Sequence, residues 1–337
     1  MELILAHHGN YPRIGDSVDE QWLRRTIAQR EKGEKTDADV AAAEDRMTEL
    51  ALGEQIAAGL DVVTDGLIRW YDPISHLAGK LDGVKITGLL RFFDTNHYFR
   101  QPVVHARIER TRPLLVDEFR FAQGKSSRPV KAVLTGPYTL ARHSIEAGNG
   151  TNGGGSASSA DGLGRLLEGY TAALAAEVAA LAAAGATRIQ VDEPSITHHA
   201  GDFARFASSF AALAAQKGSA ELSLALYFGD AAPLYDRLQG LPADVLSLDF
   251  TYSPRLIDRV AAGSAKQLAL GLVDGRNTKL EDTRVVARQL ERIAHGSGLR
   301  EAYLTPNCGF EYLPRDRARL KLARLAAIKK TFSGSPR

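Results

Sequence analysis

Between Thr187 and Pro194 the chain reads TRIQVDEP. Ile189 and Val191 favour an extended strand, and two adjacent carboxylates, Asp192 and Glu193, follow before Pro194 stops the run. A strand that carries charge to its C-terminal tip and then breaks is how an α/β enzyme presents groups for acid–base or electrostatic work. Taken alone, the same residues also fit a buried strand that ends on a helix-capping Asp. What favours chemistry is recurrence. Other apolar runs end in His7-His8-Gly9-Asn10, in Asp65-Gly66 with Arg69 and Asp72 just beyond, and in Thr135-Gly136-Pro137. Later ones end in Tyr227 and Gly229, in Asp249, in Asp274 and Arg276, and in Asn307-Cys308. Polar groups on every tip are hard to explain as packing and predict a polar ligand site. Neighbours on a strand face opposite ways, so His7 and His8 cannot both point inward. A lone Cys308 also fits a core position, and Asp249 a cap of the turn that follows it.

Eight short segments are expected to place these tips: 3–6, 62–65, 130–135, 188–192, 222–227, 245–249, 268–274 and 302–305. Most are near-continuous apolar runs, as strands buried on both faces should be. Helical patterns lie between them, over 37–58, 163–184, 203–216, 231–238, 254–262, 280–295 and 315–330, with Thr36 or Asp37 as an N-cap for the first. Strands alternating with helices imply a parallel sheet, and eight such units predict an α/β fold, a (β/α)8 TIM barrel, over residues 1–337 as a single domain. No Gly-x-Gly-x-x-Gly follows the first strand, which argues against a dinucleotide fold. Two stretches interrupt the rhythm. Residues 84–104 alternate like a β-hairpin inserted before strand three, and 148–164 are Gly- and Ser-rich, a flexible loop expected over the site.

Composition narrows the classes. Of 337 residues, 44% are hydrophobic and 24% charged, with a net charge of +2, an ordinary globule with no signature of nucleic-acid or membrane binding. One cysteine excludes an internal disulfide framework and any multi-thiolate metal site in one chain. The absence of a signal-like segment or an 18-residue apolar run makes the expected location cytoplasmic.

The tips resemble the catalytic domain of cobalamin-independent methionine synthase, nearly end to end. His8-Gly9-Asn10-Tyr11-Pro12-Arg13 is similar to that family's opening I-G-S-[FY]-P-[RQ] motif, and Asp65 through Asp72 to its D-G-E-x-x-R-x-D-M segment. Gly136-Pro137-Tyr138-Thr139-Leu140 resembles G-P-x-T-[IL], and Ile189 through Pro194 resembles I-Q-[IV]-D-E-P. Thr305-Pro306-Asn307-Cys308-Gly309 is close to N-P-D-C-G. The resemblance implies methyl transfer to homocysteine, with zinc lowering the pKa of the bound thiol. It also implies zinc ligands at a His-x-Cys pair, a Glu and a Cys. Here those positions read Tyr227-Phe228-Gly229, Asp249 and Cys308, so only Cys308 and Asp249 remain as metal candidates and the set is incomplete. The family's ammonium-gripping Glu matches Leu67, its folate-facing Ser-Arg pair matches Asn96-His97, and its histidine after strand seven matches Arg276. Asp192 remains to hold an amino group.

Three activities fit these residues. The first is a methionine-synthase-like methyl or alkyl transferase acting on a thiol such as homocysteine. Its methyl donor is open, and its metal would be held by Asp249 and Cys308 with His7 or His8, His97, and His198 or His199. The second is a metal-free barrel enzyme, a lyase or decarboxylase, on a small anionic substrate clamped by Arg69, Arg100 and Arg276. The third is a non-catalytic binding subunit, for example a partner of a corrinoid protein. Candidate catalytic residues are Asp192, Arg276 and Asp249; candidate substrate contacts are Asn10, Arg69, Asp72, His97, Glu193 and Tyr227.

Overall fold

The computed structural model describes residues 1–147 and 160–333. In chain order these form β1 (Glu2–Leu5), α1 (Trp22–Glu31), α2 (Asp37–Ala57), α3 (Ser75–Ala78), β2 (Asp82–Arg91), β3 (Tyr98–Glu109), α4 (Val116–Lys125), β4 (Ala132–Thr135) and α5 (Pro137–His143). Then come β5 (Ile145–Glu146), α6 (Ala160–Ala183), β6 (Arg188–Asp192), α7 (Phe203–Ala214), β7 (Glu221–Leu226) and α8 (Tyr235–Leu238). The last are β8 (Val245–Asp249), α9 (Leu256–Ala261), β9 (Gln267–Val273), α10 (Thr283–Gly296), β10 (Glu301–Pro306) and α11 (Arg315–Ser333). By its internal contacts the chain divides into two compact units: Met1–Arg69, Phe121–Lys131 and Leu248–Arg337 form the first, and Trp70–Arg120 and Ala132–Ser247 the second.

In the first unit β10 lies between β1 and β9, all parallel, with Leu5 opposite Leu304 and Leu304 opposite Leu270. Their inward-facing leucines are almost wholly buried, as the apolar runs require. The strand expected over 62–65 is reduced to two isolated bridges, Ala6 to Val62 and Val63 to Val130. The reason is a side chain. Gln55 of α2 accepts from the Thr64 N–H at 2.9 Å and donates to the Thr64 carbonyl at 2.9 Å, so these backbone groups never reach a strand partner. Helix α2 opens on the expected cap, with the Thr36 side chain accepting from the Asp39 N–H and the Asp39 carboxylate accepting from the Thr36 N–H.

In the second unit β4, β6 and β7 are parallel, with Thr135 opposite Asp192 and Asp192 opposite Ala225. Strands β2 and β3 pair antiparallel over the segment read as a hairpin, and β5 adds to β3 in parallel. Strand β8 spans the division. Just before it Asp244 donates to Leu222 of β7 within the second unit, and just after it Phe250 donates to Gly271 of β9 within the first.

Of the Gly/Ser-rich stretch 148–164, residues 148–159 lie outside the described residues. The rest is helical, because α6 begins at Ala160 and buries Leu163, Leu166 and Leu167 from its first turns. Helix α6 also corrects the apolar-run expectation: Asp161–Ala183 is long and apolar enough to cross a membrane by length and composition. Here it packs against α5, α7 and β3, and it carries the fully buried Glu177.

Candidate active site

In the second unit the tip of β6 is built by alternation. Gln190 and Asp192 share a face two residues apart, and Gln190 Nε2 donates to Asp192 Oδ1 at 2.7 Å. From the end of β7 the Tyr227 hydroxyl donates to Asp192 Oδ2 at 3.1 Å. Both oxygens of a carboxylate that is 7% exposed are therefore oriented by neutral donors, which suits a group that must present negative charge in one direction. Gln190 escaped the sequence reading, although its place two residues before Asp192 was the available signal.

Glu193 faces elsewhere. It is fully buried and accepts from the N–H groups of Tyr138 and Thr139 at 2.9 and 2.7 Å and from the Thr139 hydroxyl at 2.6 Å. It satisfies orphan donors at the start of α5, and these contacts occupy the carboxylate that was expected to meet substrate. Burial pushes its carboxyl up to about 7 against those hydrogen bonds. Asp72 likewise caps a helix start. It accepts from the N–H groups of Ile74 and Ser75 and the Ser75 hydroxyl at the start of α3, and from the Arg100 N–H at 3.2 Å. Arg100 lies 3.7 Å from the same carboxylate and over the Tyr71 ring.

The hairpin tip brings Phe92 and Phe93 against Phe228, which follows β7, and against His143 and His198. Phe93 and Phe228 are both left-handed, at φ 51° and 62°, a conformation that costs an L-residue about 1–2 kcal/mol. Half-buried His97 lies on the return strand's approach, its N–H bonded to the Thr95 hydroxyl, and desolvation lowers its pKa. His143 Nδ1 donates to the Thr139 carbonyl at 2.9 Å. Burial lowers its pKa to about 4, with that hydrogen bond opposing. The folded value lies below the unfolded one of about 6.5, so its contribution is present above pH 6.5 and lost as pH falls toward 4. The expected loss is about 3 kcal/mol of unfolding free energy over that window. Denaturant titrations across it should show a shallower decline for His143→Asn than for wild type.

In the first unit Asp249 is buried at the tip of β8. Its Oδ1 accepts from the Thr251 N–H and hydroxyl, the Tyr252 N–H and Asn307 Nδ2, at 2.7 to 3.2 Å. Burial raises its pKa against these bonds. Arg276, after β9, hydrogen-bonds the Tyr252 hydroxyl and sits over the Tyr252 ring, 5.0 Å from its centroid. Cys308 is fully buried and donates to the Gly309 carbonyl at 3.5 Å. Burial, then Glu311, Asp249 and Asp274, push its thiol well up, with Arg276 opposing. Glu311 and Tyr252 were not anticipated, because only the fold brings them to the β8–β10 tips. Asn10 packs its Cβ 2.9 Å from where a side chain on Gly309 would begin. The guanidinium of Arg69, expected as part of an anion clamp, pairs with Asp45 and Thr48 of α2 and stacks over Phe121.

His7 and His8 are buried and held neutral by burial and by Lys131, whose ammonium donates to the His7 carbonyl. Among the described residues no three His, Cys, Asp or Glu side chains converge as a metal-holding group. At the implied His-x-Cys position stand Tyr227 and Gly229, and glycine carries no donor side chain, so these residues do not complete the zinc set that the resemblance implies.

Comparison with known proteins sharpens this picture. The family model described as "Cobalamin-independent synthase, N-terminal domain" matches residues 79–297, whereas the strand-tip motifs resemble those of the same family's catalytic domain. A methionine synthase from Sulfurisphaera tokodaii is 29% identical over 93% of this chain and 88% of its own length. One from Saccharolobus islandicus is 30% identical over 93% and 90%. Among solved structures, a B12-independent methionine synthase from Shewanella in complex with selenomethionine covers 99% of this chain and 98% of its own. Its TM-score is 0.80 at 18% identity, a likeness that shows the fold, a (β/α)8 barrel.

Proposed function

Because the chain belongs to the cobalamin-independent methionine synthase family, we propose that this methyltransferase-family protein methylates a thiol such as homocysteine, with Asp192 as the anchor for the substrate's ammonium. The observation that carries this reading is the Asp192 carboxylate, oriented through both oxygens by Gln190 and Tyr227. A carboxylate oriented by fixed donors is pre-positioned as an acceptor, and a charge-assisted bond formed away from bulk water is among the stronger polar contacts available. The methyl donor is left to experiment.

Calorimetric titration with homocysteine and with 4-mercaptobutyrate, which lacks only the amino group, tests the reading. Saturable homocysteine binding, with the analogue about tenfold or more weaker, is expected. Equal affinity for the two would remove Asp192 as the anchor.

A further inference from the structure

The family resemblance puts a metal-ligating His-x-Cys pair at Tyr227-Phe228-Gly229, and the packing of that corner is incompatible with it. A side chain on Gly229 would begin 2.2 Å from Thr197 Oγ1 and 2.7 Å from Thr197 Cβ. Thr197 is not loose, since its hydroxyl donates to the Pro194 carbonyl at 2.7 Å. His198 Nε2 lies 3.2 Å from the same point and 2.9 Å from the Phe228 carbonyl, so that nitrogen carries its proton and has no lone pair for a metal. Phe228 is fixed in the left-handed region with its ring against those of Tyr227 and Phe93. The Tyr227 hydroxyl is committed to Asp192, and a neutral phenol is a poor zinc ligand beside imidazole or thiolate.

We propose that the turn after β7 is a hydrogen-bonded brace in place of the family's metal corner: Thr197 fills the cysteine position, Tyr227 becomes a positioning residue for Asp192, and the chain works without bound zinc. The first and third parts rest on family membership and packing alone. The role of Tyr227 rests in addition on the proposed homocysteine reading.

Three measurements on the full chain test this. Elemental analysis after dialysis, and zinc titration against a chromophoric chelator, should find well under one zinc per chain. Uptake of one equivalent would overturn the metal-free assignment. Gly229→Ala should lower the thermal midpoint by about 5 °C or more, and Thr197→Gly in the same chain should recover most of the loss. Toleration of Gly229→Ala alone would show that the corner is not filled. Tyr227→Phe should weaken homocysteine binding about fivefold with an unchanged thermal midpoint, and should have no further effect in the Asp192→Asn background. Additive losses would reject the positioning role. If wild type fails to bind homocysteine, the substrate reading fails, while the zinc and Gly229 results still judge the brace.

Discussion

Replacing Asp192 by asparagine is expected to weaken homocysteine binding about a hundredfold, since removing one partner of a desolvated charge pair costs roughly 2–5 kcal/mol. The fold should persist. An asparagine carbonyl still accepts from Gln190 Nε2, and its amide can donate to the Tyr227 hydroxyl, so both existing contacts keep a partner. Charge alone is lost, at constant size. Binding calorimetry paired with a thermal melt separates affinity from stability. Unchanged affinity, or a collapse of the melt, would place Asp192 in the scaffold instead.

The largest stability effect is expected at Glu177, far from the strand tips. Its Oε2 accepts from Arg110 Nε at 2.6 Å and the Leu114 N–H at 3.0 Å, and its Oε1 from the Leu115 N–H at 2.7 Å. One buried carboxylate on α6 thus fastens the link between β3 and α4. Glu177→Ala would leave these donors without their acceptor and a mostly buried guanidinium without its counter-charge. Losing one member of such a pair costs about 3–5 kcal/mol. Urea unfolding should report a loss of that size, and a loss below about 1 kcal/mol would mean that water replaces the carboxylate readily.

The parts of this arrangement that were legible in the sequence share a cause. Strands β6, β7, β8, β9 and β10 are buried on both faces, so their apolar runs stand out, and the polar residue that ends each run marks a tip. The segment after α2 looked the same, yet the side chain of Gln55 occupies the backbone of Thr64. No local pattern announces that exchange. Helix α5 went unread for a similar reason. It has seven residues, and its first N–H groups are satisfied by Glu193, which follows β6. Arg69 had the right residue type for an anion clamp and Asp72 for a substrate contact, but Asp45 and Ser75 hold them, and such partners appear only once the chain is folded. Gly229 is the sharpest case. The resemblance implies a cysteine there, and Thr197 Oγ1 lies 2.2 Å from where a side chain on Gly229 would begin.

The central claim, thiol methylation by a member of this family, is tested most directly by product. The purified chain is incubated with homocysteine and, in parallel, with methyltetrahydrofolate or methylcobalamin as methyl donor, and methionine is measured by mass spectrometry. The account predicts methionine from one of the two donors, with strong loss of product in Asp192→Asn and no dependence on added zinc. No methionine from either donor, together with no binding of homocysteine, would contradict it.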